Sequence, residues 1–239
     1  MGGDIESVAE FSRLYMSRNG RWLSPKYVAG ESYGATRAGG LAAHLQQEYS
    51  LNLNGLLLIS SALDFQSIFS APNNELPYAL SLPTMTAAAW YHEKLPRDLQ
   101  KRDLDRAVSA AEQWALNQYV SVLARGDALT QKQRERVARE LARYTGLAAE
   151  AILQQDLRIS SGYFARHLLK ENNRKLGIKD ARVESIPVHP DRNGYGHHDP
   201  AIFLIEAPLS ETLNHYLVAE LDWRTDRRYH ILSGKVNRR

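Results

Sequence analysis

The segment Tyr27-Val28-Ala29-Gly30-Glu31-Ser32-Tyr33-Gly34-Ala35-Thr36-Arg37 reads as a strand that enters a sharp turn and leaves it as a helix. Lys26 to Ala29 is a short β-leaning run after Pro25, and Ala35, Ala38, Leu41, Ala42 and Leu45 then recur at helical spacing as far as Glu48. Between the two lies Gly-x-Ser-x-Gly, with Ser32 at the turn. Gly30 and Gly34 are expected to remove Cβ atoms that would collide as the chain doubles back, which lets the serine sit on a strained backbone with its hydroxyl exposed. The helix that follows points unpaired backbone N–H groups toward the same spot, where a developing negative charge would be stabilised. Such a turn is the address of a nucleophile; the competing reading is a glycine-flanked serine in an ordinary strand-to-helix loop.

Upstream of this turn, Asp4 reads as an N-cap, and Ile5, Val8, Ala9, Phe11, Ser12 and Tyr15 give a helix that should stop near Asn19-Gly20. Downstream, Asn52-Leu53-Asn54-Gly55 is a turn. Leu56-Leu57-Leu58-Ile59 is an apolar run typical of a strand buried on both faces. Helix, strand, turn, helix, strand is a parallel α/β plan that extends to about Ser61. Ala71-Pro72-Asn73-Asn74 and Leu82-Pro83-Thr84 then punctuate an irregular stretch, and from Thr84 to about Lys175 the pattern is helical. Leu104, Ala107, Val108, Ala111 and Ala115 line one face of a long helix ending at Gly126. Thr130 and Gln133 form a capping box for the next helix, with Val137, Leu141 and Tyr144 as its apolar stripe and Gly146 as its stop. Ile186 to Pro200 reads as a loop, Ala201 to Ile205 as a strand, Leu209 to Leu221 as a helix and Arg228 to Leu232 as an extended piece. The expected division is a partial core over 1–61 and a mainly helical insert with the start of a return to the core over 62–239.

Composition narrows the chemistry. The 239 residues contain no cysteine, which excludes disulfides, thiolate zinc sites and a cysteine nucleophile. Thirty basic residues stand against 27 acidic ones, with the signs interspersed as in Gln133-Arg134-Glu135-Arg136, which suits a solvated helix face rather than a nucleic-acid track. No apolar run approaches a membrane span, so a soluble chain with no membrane or nucleic-acid partner is expected. Two convincing parallel strands do not make a stable sheet. The chain is therefore expected to be a piece of a larger protein or to need a partner chain to complete its sheet.

The run Gly30-Glu31-Ser32-Tyr33-Gly34-Ala35-Thr36-Arg37-Ala38-Gly39-Gly40-Leu41, followed by Leu53-Asn54-Gly55-Leu56-Leu57-Leu58-Ile59-Ser60-Ser61, resembles the serine carboxypeptidase family, in particular its bacterial branch. Leu76-Pro77-Tyr78, Leu82-Pro83-Thr84, Ala89-Trp90-Tyr91-His92, Tyr144-Thr145-Gly146-Leu147 and Leu157-Arg158-Ile159 extend the likeness in consistent order over nearly the whole chain. The resemblance implies an α/β fold of the α/β-hydrolase type, present as a partial core around the nucleophile elbow with a large helical cap inserted after it. It implies that Ser32 is the acylating nucleophile and that the backbone N–H of Tyr33 is an oxyanion donor. Glu31 would be the acidic residue that, protonated and hydrogen-bonded to a second glutamate, helps hold the terminal carboxylate of a peptide; like charges in contact would otherwise both be disfavoured. Peptides with a free C-terminus are the implied substrates, acidic pH the implied preference, and no metal or organic cofactor is implied. Members of the family are often secreted, periplasmic or vacuolar. An esterase or acyltransferase of the same fold, or a non-catalytic truncated chain, are the alternatives.

The resemblance is incomplete in one respect. The family's second oxyanion donor and partner glutamate belong upstream of the elbow, and its triad runs Ser, then Asp, then His, with the last two after the cap; neither has a match in this sequence. Glu206 with His215 or His230 offers the same order in disguise, although His215 falls in an expected helix and His230 in an expected strand. Without a base at its hydroxyl Ser32 stays a weak nucleophile. His197-His198-Asp199 suggests a metal set, against which stands a polar loop. Trp90, Tyr91 and His92 suggest a cleft lining, against which stands ordinary core packing.

Overall fold

A computed structural model describes residues 2–187, 199–227 and 229 of the chain, which is mixed helix and sheet. Its contacts divide it into two compact units, Met1–Phe69 and Ser70–Arg239. Among the described residues, no helix is long and apolar enough to cross a membrane.

The first unit follows the order read from the sequence: helix α1 (Gly2–Arg18), strand β1 (Tyr27–Glu31), helix α2 (Tyr33–Tyr49) and strand β2 (Gly55–Ile59). The two strands are parallel, in the register Tyr27↔Gly55 to Glu31↔Ile59. Asn54 pins the start of that register: its side-chain oxygen accepts from the Lys26 N–H at 2.8 Å, and its own N–H donates to the Lys26 carbonyl at 2.7 Å. Ala9 of α1, Leu41 and Leu45 of α2, and Leu51 form a buried cluster, with Val28 of β1 packed against it and Ala35 and Ala38 of α2 buried as well, so the two helices pack on each other and α2 packs on the strands. Two expectations change. Asp4 lies inside α1 rather than capping it, because the helix already starts at Gly2. And β2, read as buried on both faces, is 39% to 51% exposed from Leu56 to Ile59, because β1 is the one strand that pairs with it among the described residues.

The second unit is a helical bundle. It contains α3 (Leu76–Tyr91), the short α4 (Arg97–Gln100), α5 (Leu104–Trp114), α6 (Val120–Arg125), α7 (Gln131–Thr145), α8 (Ala149–Gln154) and α9 (Ser161–His167). Helix α3 begins before the expected helical onset and contains Pro83, which the sequence reading took for punctuation. Proline deletes one amide from the ladder, but Ala79, Leu82, Met85, Ala88 and Ala89 are all buried, and that packing outweighs the missing bond. Between α5 and α6 the helix widens into a π turn, Ala115–Tyr119, which brings Trp114 and Tyr119 onto one face with their rings stacked 5.3 Å apart. The Tyr119 hydroxyl, buried with its pKa raised above the ordinary phenol value by desolvation, donates to the Leu157 carbonyl. Helix α7 has the expected capping box, Thr130 with Gln133, and ends at Gly146 with φ 69°.

The last described helix corrects the sequence reading most. Ala201 to Ile205 is not a strand but the first part of α10 (Pro200–Ala219), which also takes in most of the helix expected from Leu209. Asp199 caps it by accepting from the Ala201 N–H at 2.9 Å, and Pro200 occupies the first turn, where a missing N–H costs nothing. The same Asp199 carboxylate accepts from the N–H groups of Ile178 and Lys179, just beyond the two-residue hairpin strands β3 (Lys175–Leu176) and β4 (Glu184–Ser185) on the β3 side. Residues 228 and 230–232 of the expected extended piece, and 188–198 of the expected loop, lie outside the described residues.

Candidate functional site

Ser32 stands between β1 and α2 with φ 54° and ψ −117°. These are the angles of the first central residue of a type II′ turn, a position that glycine normally fills. Three hydrogen bonds impose them. The Ser32 N–H donates to the Ile59 carbonyl at 2.9 Å and so continues the parallel ladder; the Ser32 carbonyl accepts from Ala35 at 3.0 Å and from Ala62 at 3.4 Å. Ser32 thus belongs by its amide to the sheet and by its carbonyl to the helix, and the reversal happens within one residue. Its side chain makes no capping bond and the residue is exposed, so its hydroxyl is left presented.

The glycines on either side play unequal parts. A Cβ on Gly30 would lie 2.1 Å from the Gly34 carbonyl oxygen and 2.7 Å from the Ala35 nitrogen, so a side chain there is incompatible with the turn. A Cβ on Gly34 meets nothing within 4 Å outside its own helix, contrary to the expectation that both glycines are needed for clearance. The first hydrogen bond of the helical turn is that of Ala35. The amides of Tyr33 and Gly34 precede it and have no acceptor within the helix, at the end that carries the positive side of the helix dipole. Glu31 ends β1, exposed and directly before Ser32.

No family model, no curated protein and no solved structure matches this chain.

Around the turn lie residues whose part the sequence reading did not assign. By register, position 60 stands beside position 32, and Ser60 also has a left-handed backbone, φ 47°, so two neighbouring strands end side by side in left-handed serines. The Thr36 hydroxyl donates to the Ala62 carbonyl, which ties the first turn of α2 to the loop after β2. Asp4, read as a cap, instead reaches across from α1. Its Oδ2 accepts from the Tyr33 hydroxyl at 3.0 Å and from the Arg37 Nε at 2.8 Å, and the Arg37 guanidinium lies 5.3 Å from the centre of the Tyr33 ring. The Arg37 bond holds the Asp4 carboxyl below its ordinary pKa, against the opposing effect of desolvation and with help from the Tyr33 hydroxyl. The Tyr33 phenol is pushed up in return, chiefly by the Asp4 carboxylate that accepts its proton. No sequence signal marks this contact, since the partners are 29 and 33 positions apart.

No histidine stands beside Ser32 in the first unit. Its one histidine, His44, is twelve residues along α2, about 18 Å from the turn at the helical rise, and stacks edge-on against Tyr49. The pairing of Glu206 with His215 fails as well. Glu206 and His215 share α10, nine residues apart, which separates them by about 13 Å along the axis and half a revolution around it. His230, His197 and His198 lie outside the described residues, and the Asp199 carboxylate is occupied by three backbone amides. Trp90 donates its indole N–H to the Arg102 carbonyl at 3.0 Å, the His92 Nε2 is 2.7 Å from the Ala181 carbonyl, and Tyr91 is exposed at the end of α3. These contacts stitch the second unit together.

Proposed function

We propose that Ser32 is the nucleophile of an acyl-transfer hydrolase, and that the enzyme is a serine carboxypeptidase of the α/β-hydrolase type with peptides bearing a free C-terminus as substrates. The observation that carries this reading is the backbone of Ser32. A serine held in a glycine conformation between a parallel strand and a helix N-terminus, with its hydroxyl uncommitted, is a costly arrangement that a structural loop does not need. The Ser32 oxygen attacks the scissile carbonyl, the oxyanion forms against the Tyr33 N–H, its collapse breaks the C–N bond and expels the C-terminal residue as an amine, and water then hydrolyses the acyl-enzyme. A histidine from outside Met1–Phe69 takes the serine proton. Glu31, one residue before the nucleophile, holds the terminal carboxylate of the substrate, and this residue separates a carboxypeptidase from an esterase on the same frame.

The test uses the native protein with two substrates, a blocked dipeptide with a free C-terminus and the corresponding blocked ester. Glu31→Gln should lower kcat/KM on the free-carboxylate peptide by at least about tenfold while changing ester hydrolysis by less than about twofold. Equal loss on both substrates would reduce the reading to an esterase or acyltransferase. No turnover of either, with Ser32→Ala indistinguishable from the parent, would remove the hydrolase reading altogether.

A further inference from the structure

The first turn of α2 is where this site is mechanically weakest. A helix end leaves its first amides without partners, and its N-cap residue, Ser32, contributes no side-chain bond to them. Fraying of that turn would swing the Tyr33 N–H away from the Ser32 hydroxyl. Packing holds this turn from one side, through the buried Ala35 and Ala38, while the cluster that joins α1 to α2 (Ala9 with Leu41 and Leu45) meets α2 one turn or more farther along. The side-chain hydrogen bonds that tie the first turn to other segments are that of Thr36 to the Ala62 carbonyl and those of Tyr33 and Arg37 to Asp4.

We propose that Asp4 is a positioning residue for the elbow. By holding the Tyr33 hydroxyl and the Arg37 guanidinium together from a neighbouring helix, it fixes the peptide between Ser32 and Tyr33 and so aims the N–H of Tyr33. This inference rests on the reading of that N–H as the oxyanion donor. One carboxylate oxygen serves both donors, and Tyr33 and Arg37 sit one helical turn apart, so the contact clamps the turn at its start and at its end. Arg37 has a second effect. A bare carboxylate near the donor would oppose the negative charge growing on the substrate oxygen, and the ion pair at 2.8 Å offsets it. Loss of Asp4 therefore loosens the donor, and loss of Arg37 leaves the carboxylate's charge exposed to the reaction.

The deciding measurement is residue-resolved amide exchange of the native protein, parent against Asp4→Ala and Tyr33→Phe. The Ser32 and Ala35 amides, bonded to Ile59 and Ser32 respectively, bracket the turn. In both variants they should exchange about fivefold faster while the amides of Leu41 to Leu45 stay as they were, and the double variant should be no faster than either single one. Unchanged exchange at Ala35, or faster exchange spread evenly over α1 and α2, would overturn the proposal and leave Asp4 as an ordinary helix tie. Fluorophosphonate labelling of the same proteins separates this from the functional reading. A parent that fails to label at Ser32 while Asp4→Ala still loosens Ala35 defeats the hydrolase and not the clamp. A parent that labels, with Asp4→Ala labelling at the same maximal rate, defeats the positioning role. The expected result is a maximal labelling rate lowered about fivefold, with little change in reagent affinity and partial recovery in Asp4→Asn, which keeps an acceptor for the phenol.

Discussion

Ser32 holds a backbone conformation that costs a non-glycine residue on the order of 1–3 kcal/mol, and its side chain returns nothing to the fold, since it neither caps α2 nor is buried. Ser32→Gly should therefore raise the stability of the first unit by about 1 kcal/mol while deleting the nucleophile, a gain readable in a chemical denaturation midpoint. A decrease would mean that the hydroxyl has a structural task. Gly30→Ala places a Cβ 2.1 Å from the Gly34 carbonyl oxygen and should disrupt the turn, at a cost of more than about 3 kcal/mol. Gly34→Ala meets no neighbour and should be neutral or stabilise α2 by up to about 1 kcal/mol. Sequence pattern treats these two glycines as equivalent, because the motif records which residues are small and not which Cβ would find another atom.

At the scale of elements, local rules were legible where the partners are local. The Thr130–Gln133 box, the Gly146 stop and the strand-turn-helix around Ser32 all depend on residues within a few positions of each other, and each is present. Pro83 inside α3 and the start of α10 differ from the sequence expectation for a common reason: proline reads as punctuation. In α3, packing of Ala79, Leu82 and Met85 outweighs the missing N–H; in α10, Asp199-Pro200 is itself a helix start. The contact of α1 with α2 through Asp4 was beyond the reach of any local rule. It also has a pH signature. Because the Arg37 bond depresses the folded-state pKa of Asp4 below its ordinary value of 3.8, the brace is fully present above pH 3.8 and is lost as pH falls through the lowered value. Exchange at Ala35 should accordingly rise below about pH 3.8 in the parent and be flat with pH in Asp4→Asn, once intrinsic exchange is divided out.

At the scale of the molecule, the two units differ in what holds them. Among the described residues the first has a small core, Ala9, Ala35, Ala38, Leu41, Leu45 and Leu51, with a two-stranded sheet whose β2 residues are about half exposed; the second has a larger, mainly helical core from Ala79 to Leu176. Two strands are too few to stand alone without strong packing, so urea should release exchange protection in α1 and α2 before it does so in α3 and α7. A single concerted loss would contradict separate cores. The apolar character of Leu56 to Ile59 was plain in the sequence, but what covers a strand is decided by its neighbours in space, and a one-dimensional pattern does not name them. The claim on which the account depends is chemical, and peptide mapping after brief exposure of the native protein to a fluorophosphonate addresses it directly. The account predicts an adduct on Ser32 that forms faster in the folded protein than in urea and is absent from Ser32→Ala. An unmodified Ser32, or equal modification of folded and unfolded chains, would contradict it.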